Sequence, residues 1–266
     1  MLKNKKYIFI CVAISFALFS GSYYYWNIRN EWKVSFNKGI VSMASKNYQE
    51  ALDFYNQSLE LNPNSSVIYG NKCLTLYYID NHQEALNNCN KALNIDNKNL
   101  VSLNTKGNVL IKMGLNEQAI EHFKCALRLK FSDKINASFY NNIGVAYENL
   151  KEYDQSIISF NNSIKLEKNN VNALSNKTRI FFKFKRYEEA LDNINRIIVL
   201  SPNVSKYYDN KAVILYKLDK PEELLDVINK SLSLNPNGKY KQTYECILRN
   251  SQTSIKELEK INSLEI

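Results

Sequence analysis

The sequence predicts an all-α solenoid of about six helix-turn-helix repeats, with one hydrophobic helix before it and capping helices after it. Three observations carry this. A small residue recurs as Ala51, Ala85, Ala119, Ser156 and Ala190, with Leu224 in the sixth place, at steps of 34, 34, 37, 34 and 34 residues. A second column, Gly39, Cys73, Gly107, Gly144, Thr178 and Ala212, keeps the same steps. Two apolar columns do so as well: Tyr55, Cys89, Phe123, Phe160, Ile194 and Ile228, and then Leu59, Leu93, Leu127, Ile164, Ile198 and Leu232.

The copy at 137–170 shows what one unit contains. Tyr140, Ile143, Gly144 and Tyr147 recur at helical spacing, and Ser156, Ile157, Phe160, Ile164 and Leu166 do so again after the polar turn Lys151, Glu152, Tyr153. Neither stripe can be buried alone, so each copy needs neighbours of its own kind. Pro63, Pro202 and Pro236 each end a second helix, because proline lacks an N–H and its ring clashes with the preceding turn. Pro221 instead suits a first helical turn. Three extra residues near Asp133 to Asn136 account for the single 37-residue step and are expected to lengthen the turn between the third and fourth copies.

Along the chain, residues 1–29 come first. Lys3, Lys5 and Lys6 precede Tyr7 to Trp26, 20 residues without a charge. A helix of that length spans about 30 Å, the thickness of a hydrocarbon core, and Tyr7 and Tyr23 to Trp26 place aromatic rings at both interfaces. This reads as a single transmembrane anchor; the competing reading is a cleaved signal peptide, since Ser20, Gly21 and Ser22 are small, and the product would then be secreted. Lysines before the span favour a cytoplasmic N-terminus and repeats on the far side of the membrane, with the inverted arrangement left open. The copies follow at 32–65, 66–99, 100–133, 137–170, 171–204 and 205–238. In the tail, 239–266, Tyr240, Tyr244, Ile247, Leu248, Ile255, Leu258 and Ile261 suggest helix that caps the last apolar face.

A period of 34 with small residues at positions 8 and 20, an apolar or aromatic residue at 24 and proline at 32 resembles the tetratricopeptide repeat. The resemblance covers about Trp32 to Gly238. The large aromatic of position 4 is present as Tyr69, Tyr140 and Tyr208 and absent at Ser35, Leu103 and Leu174.

Composition limits the chemistry. The net charge is +9, but Lys3, Lys5, Lys6, Arg29 and Lys33 stand against Glu31 in residues 1–33, so nearly half of the excess lies outside the repeats and no nucleic-acid-binding stripe is expected. Five cysteines (Cys11, Cys73, Cys89, Cys125, Cys246) show no metal-ligand spacing. Cys73, Cys89 and Cys125 fall on or beside core columns and read as buried small apolar residues; a Cys73 to Cys89 disulfide inside the second copy is the alternative, and needs an oxidising compartment. His82 and His122 are isolated, and no phosphate loop, HExxH or GxSxG occurs. No enzyme activity, metal or cofactor is expected.

The resemblance implies a protein-interaction scaffold whose concave groove is faced by position 6 of each first helix. That column is Asn37, Asn71, Thr105, Asn142, Asn176 and Asn210. A carboxamide offers an acceptor and two donors, so a ladder of them can pair with successive peptide groups of an extended partner without reading its side chains. Other groove positions bring Ile40, Met43, Leu74, Tyr77, Tyr78 and Ile111 in the first half, and Lys112, Arg179, Lys183, Lys206 and Lys217 later, a basic lining suited to an acidic peptide. The carboxylate clamp of chaperone-binding relatives is not expected, because Phe36 and Ile40 stand at its positions. The alternative function is a structural assembly factor that self-associates through its repeats.

Overall fold

The computed structural model describes residues 31–249 of the 266, which form helices joined by short connections. α1 covers 31–44. It is followed by α2 (Tyr48–Leu61), α3 (Ser66–Tyr78), α4 (His82–Ile95), α5 (Leu100–Lys112), α6 (Asn116–Leu127) and α7 (Asp133–Asn149). Then come α8 (Tyr153–Leu166), α9 (Val171–Lys183), α10 (Tyr187–Leu200), α11 (Ser205–Lys217), α12 (Pro221–Leu234) and α13 (Lys241–Arg249). The chain divides between Leu115 and Asn116 into two compact units, the first holding α1 to α5 and the second α6 to α13. The apolar run 7–26 lies outside the described residues; among those residues no helix is long and apolar enough to cross a membrane.

The turn from the first to the second helix of each copy is built the same way six times. Lys46, Asp80, Gly114, Lys151, Lys185 and Asp219 all take positive φ, between 54° and 77°. In each, the N–H of the next residue reaches five residues back, as from Asn47 to Ser42 at 2.8 Å and from Glu152 to Tyr147 at 2.9 Å, while the positive-φ residue bonds three back. This is the Schellman C-cap, which satisfies the last carbonyls of the helix. It explains why turns of two or three residues suffice. Only one of the six is glycine, and a side chain in this conformation costs about 1–2 kcal/mol, partly offset by the greater flexibility of unfolded glycine. Lys151→Gly should therefore stabilise the second unit by about 0.5–1 kcal/mol in urea unfolding, and Gly114→Ala should destabilise the first by a similar amount. Nothing stands within 4 Å of a Cβ added at Gly114, so steric clash does not contribute there.

Core formation follows the repeat columns. In the first unit Ala51, Tyr55 and Ile68 are buried, with Trp32, Phe36, Met43 and Leu59 packed against them. In the second, Phe160, Ala173 and Ile180 form one cluster, and a larger one runs from Leu174 and Phe181 through Ala212 and Ile228 to Tyr244 of α13. The buried Tyr244 hydroxyl donates to Asp209 Oδ1 at 3.1 Å, fastening α13 to α11. Small columns let helices cross closely. A Cβ on Gly39 would lie 2.5 Å from the Tyr55 ring, and one on Gly144 would lie 2.5 Å from the Phe160 ring. At the same crossing of the second copy, Cys73 and Cys89 form a disulfide with Cα atoms 5.3 Å apart.

Two expectations are corrected. The insertion near Asp133 to Asn136 lengthens a helix more than a turn. α7 has 17 residues where α3, α5, α9 and α11 have 13, while the loop before it, 128–132, gains one residue over 62–65. Ser132 is extended, Asp133 places a carboxylate at the positive end of the helix, and the Asn136 side chain donates to the Phe131 carbonyl at 3.0 Å, so helix begins early. Cys125 is exposed, not buried. It sits between Phe123 and Ala126, which point inward, and two residues from Phe123 carry it about 200° round the helix.

Candidate functional site: a carboxamide-lined cleft in the second unit

The position 6 column does not form one uniform ladder. In the first unit Asn37 is exposed beside Val34 and Val41. Asn71 turns its Nδ2 back to the Val67 carbonyl of its own helix at 2.8 Å. Tyr77, half-buried, meets Tyr78 edge-on at 5.8 Å and lies 6.4 Å from the His82 ring; burial, with Tyr78 and Asp80 adding to it, pushes its hydroxyl pKa up.

The second unit brings its asparagines together. Asn176 Nδ2 on α9 donates to Asn141 Oδ1 on α7 at 3.0 Å, and Asn141 Nδ2 donates to Asn142 Oδ1 at 3.3 Å. Beside this chain of carboxamides opens a cleft of about 230 Å³ lined by Asn141, Asn172, Ser175, Asn176, Lys206 and Tyr207, from α7, α9 and α11. Two groups are left at the ends of the chain. Asn142 keeps both Nδ2 hydrogens and Asn176 keeps its Oδ1, a donor and an acceptor on adjacent helices. Asn210 does not belong to the surface: it is buried on α11, 2% exposed.

The basic lining is thinner than the sequence suggests. Arg179 makes a bidentate pair with Glu148 on α7, Nε to Oε1 at 3.0 Å and Nη2 to Oε2 at 2.6 Å. That fork joins α7 to α9 and neutralises the charge. Lys183 bonds the Tyr153 hydroxyl and lies 4.4 Å from its ring centroid, at the start of α8. Lys217 lies over the ring of its neighbour Tyr216 at 5.2 Å. Neither lines the carboxamide cleft, whereas Lys206 does. Sequence reasoning passed over Asn141, Asn172, Ser175 and Tyr207 individually. Asn141 was legible in principle, since it adjoins Asn142 at a groove position.

Among the described residues no three His, Cys, Asp or Glu side chains gather as metal ligands. The cleft's polar groups are carboxamides, a hydroxyl, an ammonium and a phenol. Such a set binds neutral or anionic hydrogen-bonding groups and offers no paired acid and base.

The tetratricopeptide repeat model matches residues 32–65, 100–133 and 137–170. Those three stretches, the helix pairs α1 and α2, α5 and α6, and α7 and α8, match as tetratricopeptide repeats. Repeats of this kind are protein-interaction modules, and of the helices lining the second unit's cleft α7 lies in a matched stretch. No curated protein matches. Solved structures do. The pilF protein of Pseudomonas aeruginosa superposes with a TM-score of 0.66 at 16% identity, over 82% of this chain and 98% of that one. PilW, described as a widely conserved type IV pilus biogenesis factor, gives 0.69 at 12% identity over 80% and 97%. YrrB, described as a tetratricopeptide repeat protein with an unusual peptide-binding site, gives 0.50 at 17% identity over 77% and 97%. At these identities the likeness is one of fold.

Proposed function

We propose that the protein is a membrane-tethered interaction scaffold whose second unit holds an extended segment of a partner protein by its backbone. The observation that carries this is the carboxamide chain Asn176, Asn141, Asn142: Asn176 and Asn141 line one cleft, and Asn176 Oδ1 on α9 and the Asn142 Nδ2 donors beside it on α7 stand outside the chain's mutual bonds. A peptide unit presents one N–H and one C=O, and Asn176 Oδ1 and Asn142 Nδ2 are complementary to that pair. Lys206 at the cleft favours a partner with an acidic residue beside the gripped stretch. The tether is the charge-free run 7–26, with the repeats on the non-cytoplasmic side.

Peptides selected by display on the full chain test the binding. Each hydrogen bond contributes on the order of 1 kcal/mol net, so Asn142→Ala with Asn176→Ala should weaken the selected peptides about 30-fold. Circular dichroism should stay unchanged, since both residues are half-buried at the surface of their helices. Undiminished affinity in the double variant would remove the cleft as the binding surface. Carbonate extraction of native membranes tests the tether: the full chain should stay in the pellet.

A further inference from the structure

Charge in the second unit is divided between the two ends of its helices. Connections of three to five residues, as at 128–132, 150–152 and 167–170, reverse the chain after each helix, so the links between copies gather at one end and the turns within copies at the other. Contacts hold the link end together. The Ser163 hydroxyl near the end of α8 donates to the Ala137 carbonyl near the start of α7 at 2.7 Å, and Arg196 Nη2 of α10 donates to the Lys168 carbonyl at 3.5 Å. Arg128, Lys130, Lys134, Lys165, Lys168 and Arg196 stand there against Asp133 and Glu167, and all of these cations are exposed. Among the described residues none of them is paired with a carboxylate.

The opposite end differs. The turns 150–154, 184–189 and 218–223 hold more carboxylates than cations, and Arg186 and Lys220 are paired there with Glu189 and Glu223. Most of those acids open α8, α10 and α12, where the helix dipole favours them. The dipole does not account for the link end. Lys134 lies in the first turn of α7, at its positive end, while Arg128, Lys130 and Lys168 lie outside the helices. Nor does the repeat require such cations: in the first unit the links 62–65 and 96–99, with the turns before them, hold Glu60 and Asp96 against Lys98 alone. We propose that the link end of the fourth copy sits on acidic phospholipid headgroups, a contact that rests on the membrane-tethered reading above. A discrete anion is held by converging donors, whereas cations spread over the ends of α7, α8 and α10 meet a plane of charge together. A tether keeps that plane at high effective concentration, so the contact needs no pocket. Its attraction acts within a Debye length and weakens with salt.

Lysine acetylation read by mass spectrometry tests the contact, on the full chain mixed with vesicles of phosphatidylcholine alone or of phosphatidylcholine with phosphatidylglycerol. Lys130, Lys134, Lys165 and Lys168 should label several-fold more slowly on the acidic vesicles, Lys151, Lys185 and Lys220 at the other end should label equally on both, and high salt should erase the difference. Arg128→Glu with Lys168→Glu should restore labelling of Lys134 and Lys165; both residues are exposed, so circular dichroism should not change. Flotation with the neutral vesicles reports the tether separately. A chain that floats with them yet labels alike on both compositions keeps the tether and overturns the proposal. Salt-sensitive protection by acidic vesicles, without flotation on neutral ones, would support the charged contact and remove the tether. A chain that floats with neither would overturn both. Protection by soluble polyglutamate but not by acidic vesicles would overturn the proposal in favour of an acidic polymer.

Discussion

Truncating Phe160 to alanine is expected to destabilise the second unit by about 3–5 kcal/mol, the cost of removing a fully buried ring from a site that cannot collapse. Phe160 is 0% exposed and its ring edge lies where a Cβ on Gly144 would come, 2.5 Å from Cε1 and 2.7 Å from Cδ1. α7 and α8 cross there, and the Ser156 hydroxyl on α8 donates to the Gly144 carbonyl at 2.7 Å, so the backbones are pinned and the ring has no room to retreat. Gly144→Ala should accordingly cost about 1–3 kcal/mol by overpacking. The two positions are coupled. Other copies fill them with Thr178 and Ile194 or Ala212 and Ile228, a larger first residue with a smaller second. Gly144→Ala combined with Phe160→Leu should therefore cost less than the sum of the single changes, by an interaction energy of about 0.5–3 kcal/mol in a double-mutant cycle. Strict additivity would show that the crossing is looser than described.

Reduction of the Cys73 to Cys89 disulfide is expected to lower the stability of the first unit by about 3 kcal/mol, the loop-closure value for a cross-link of this span. The two residues are 16 apart in sequence and both fully buried, so the freed thiols leave no cavity and the loss comes from the unfolded chain. Thermal unfolding with and without a thiol reductant should show one transition moving and the transition of the second unit, which holds no disulfide among its described residues, standing still. Coincident curves would mean that the bridge contributes nothing. A disulfide of this kind persists in an oxidising space.

Much of this was legible as columns. The steps of 34 and 37 located the helix pairs, and the small residues at Gly39 and Gly144 marked the close crossings, because burial and helix approach repeat with the period. What escaped depends on contacts that periodicity does not encode. Asn71, Asn142, Asn176 and Asn210 occupy one column, yet one bonds its own helix, two join a carboxamide chain and one is buried, since each outcome depends on which residue of the adjoining helix stands opposite. Arg179 read as a free cation because Glu148 is 31 residues away and meets it only when α7 and α9 lie side by side. The positive-φ column was hidden because lysine and aspartate fill five of its six places.

The central claim is that the cleft grips a peptide backbone. It is tested most directly by calorimetry of a selected peptide and its singly N-methylated forms against the full chain. The account predicts that one or two N-methyl positions abolish most of the affinity, that alanine substitution of side chains at those positions changes little, and that Asn176→Ala removes the sensitivity to N-methylation. Affinity that follows the peptide's side chains and ignores backbone methylation, in wild type and Asn176→Ala alike, would contradict it.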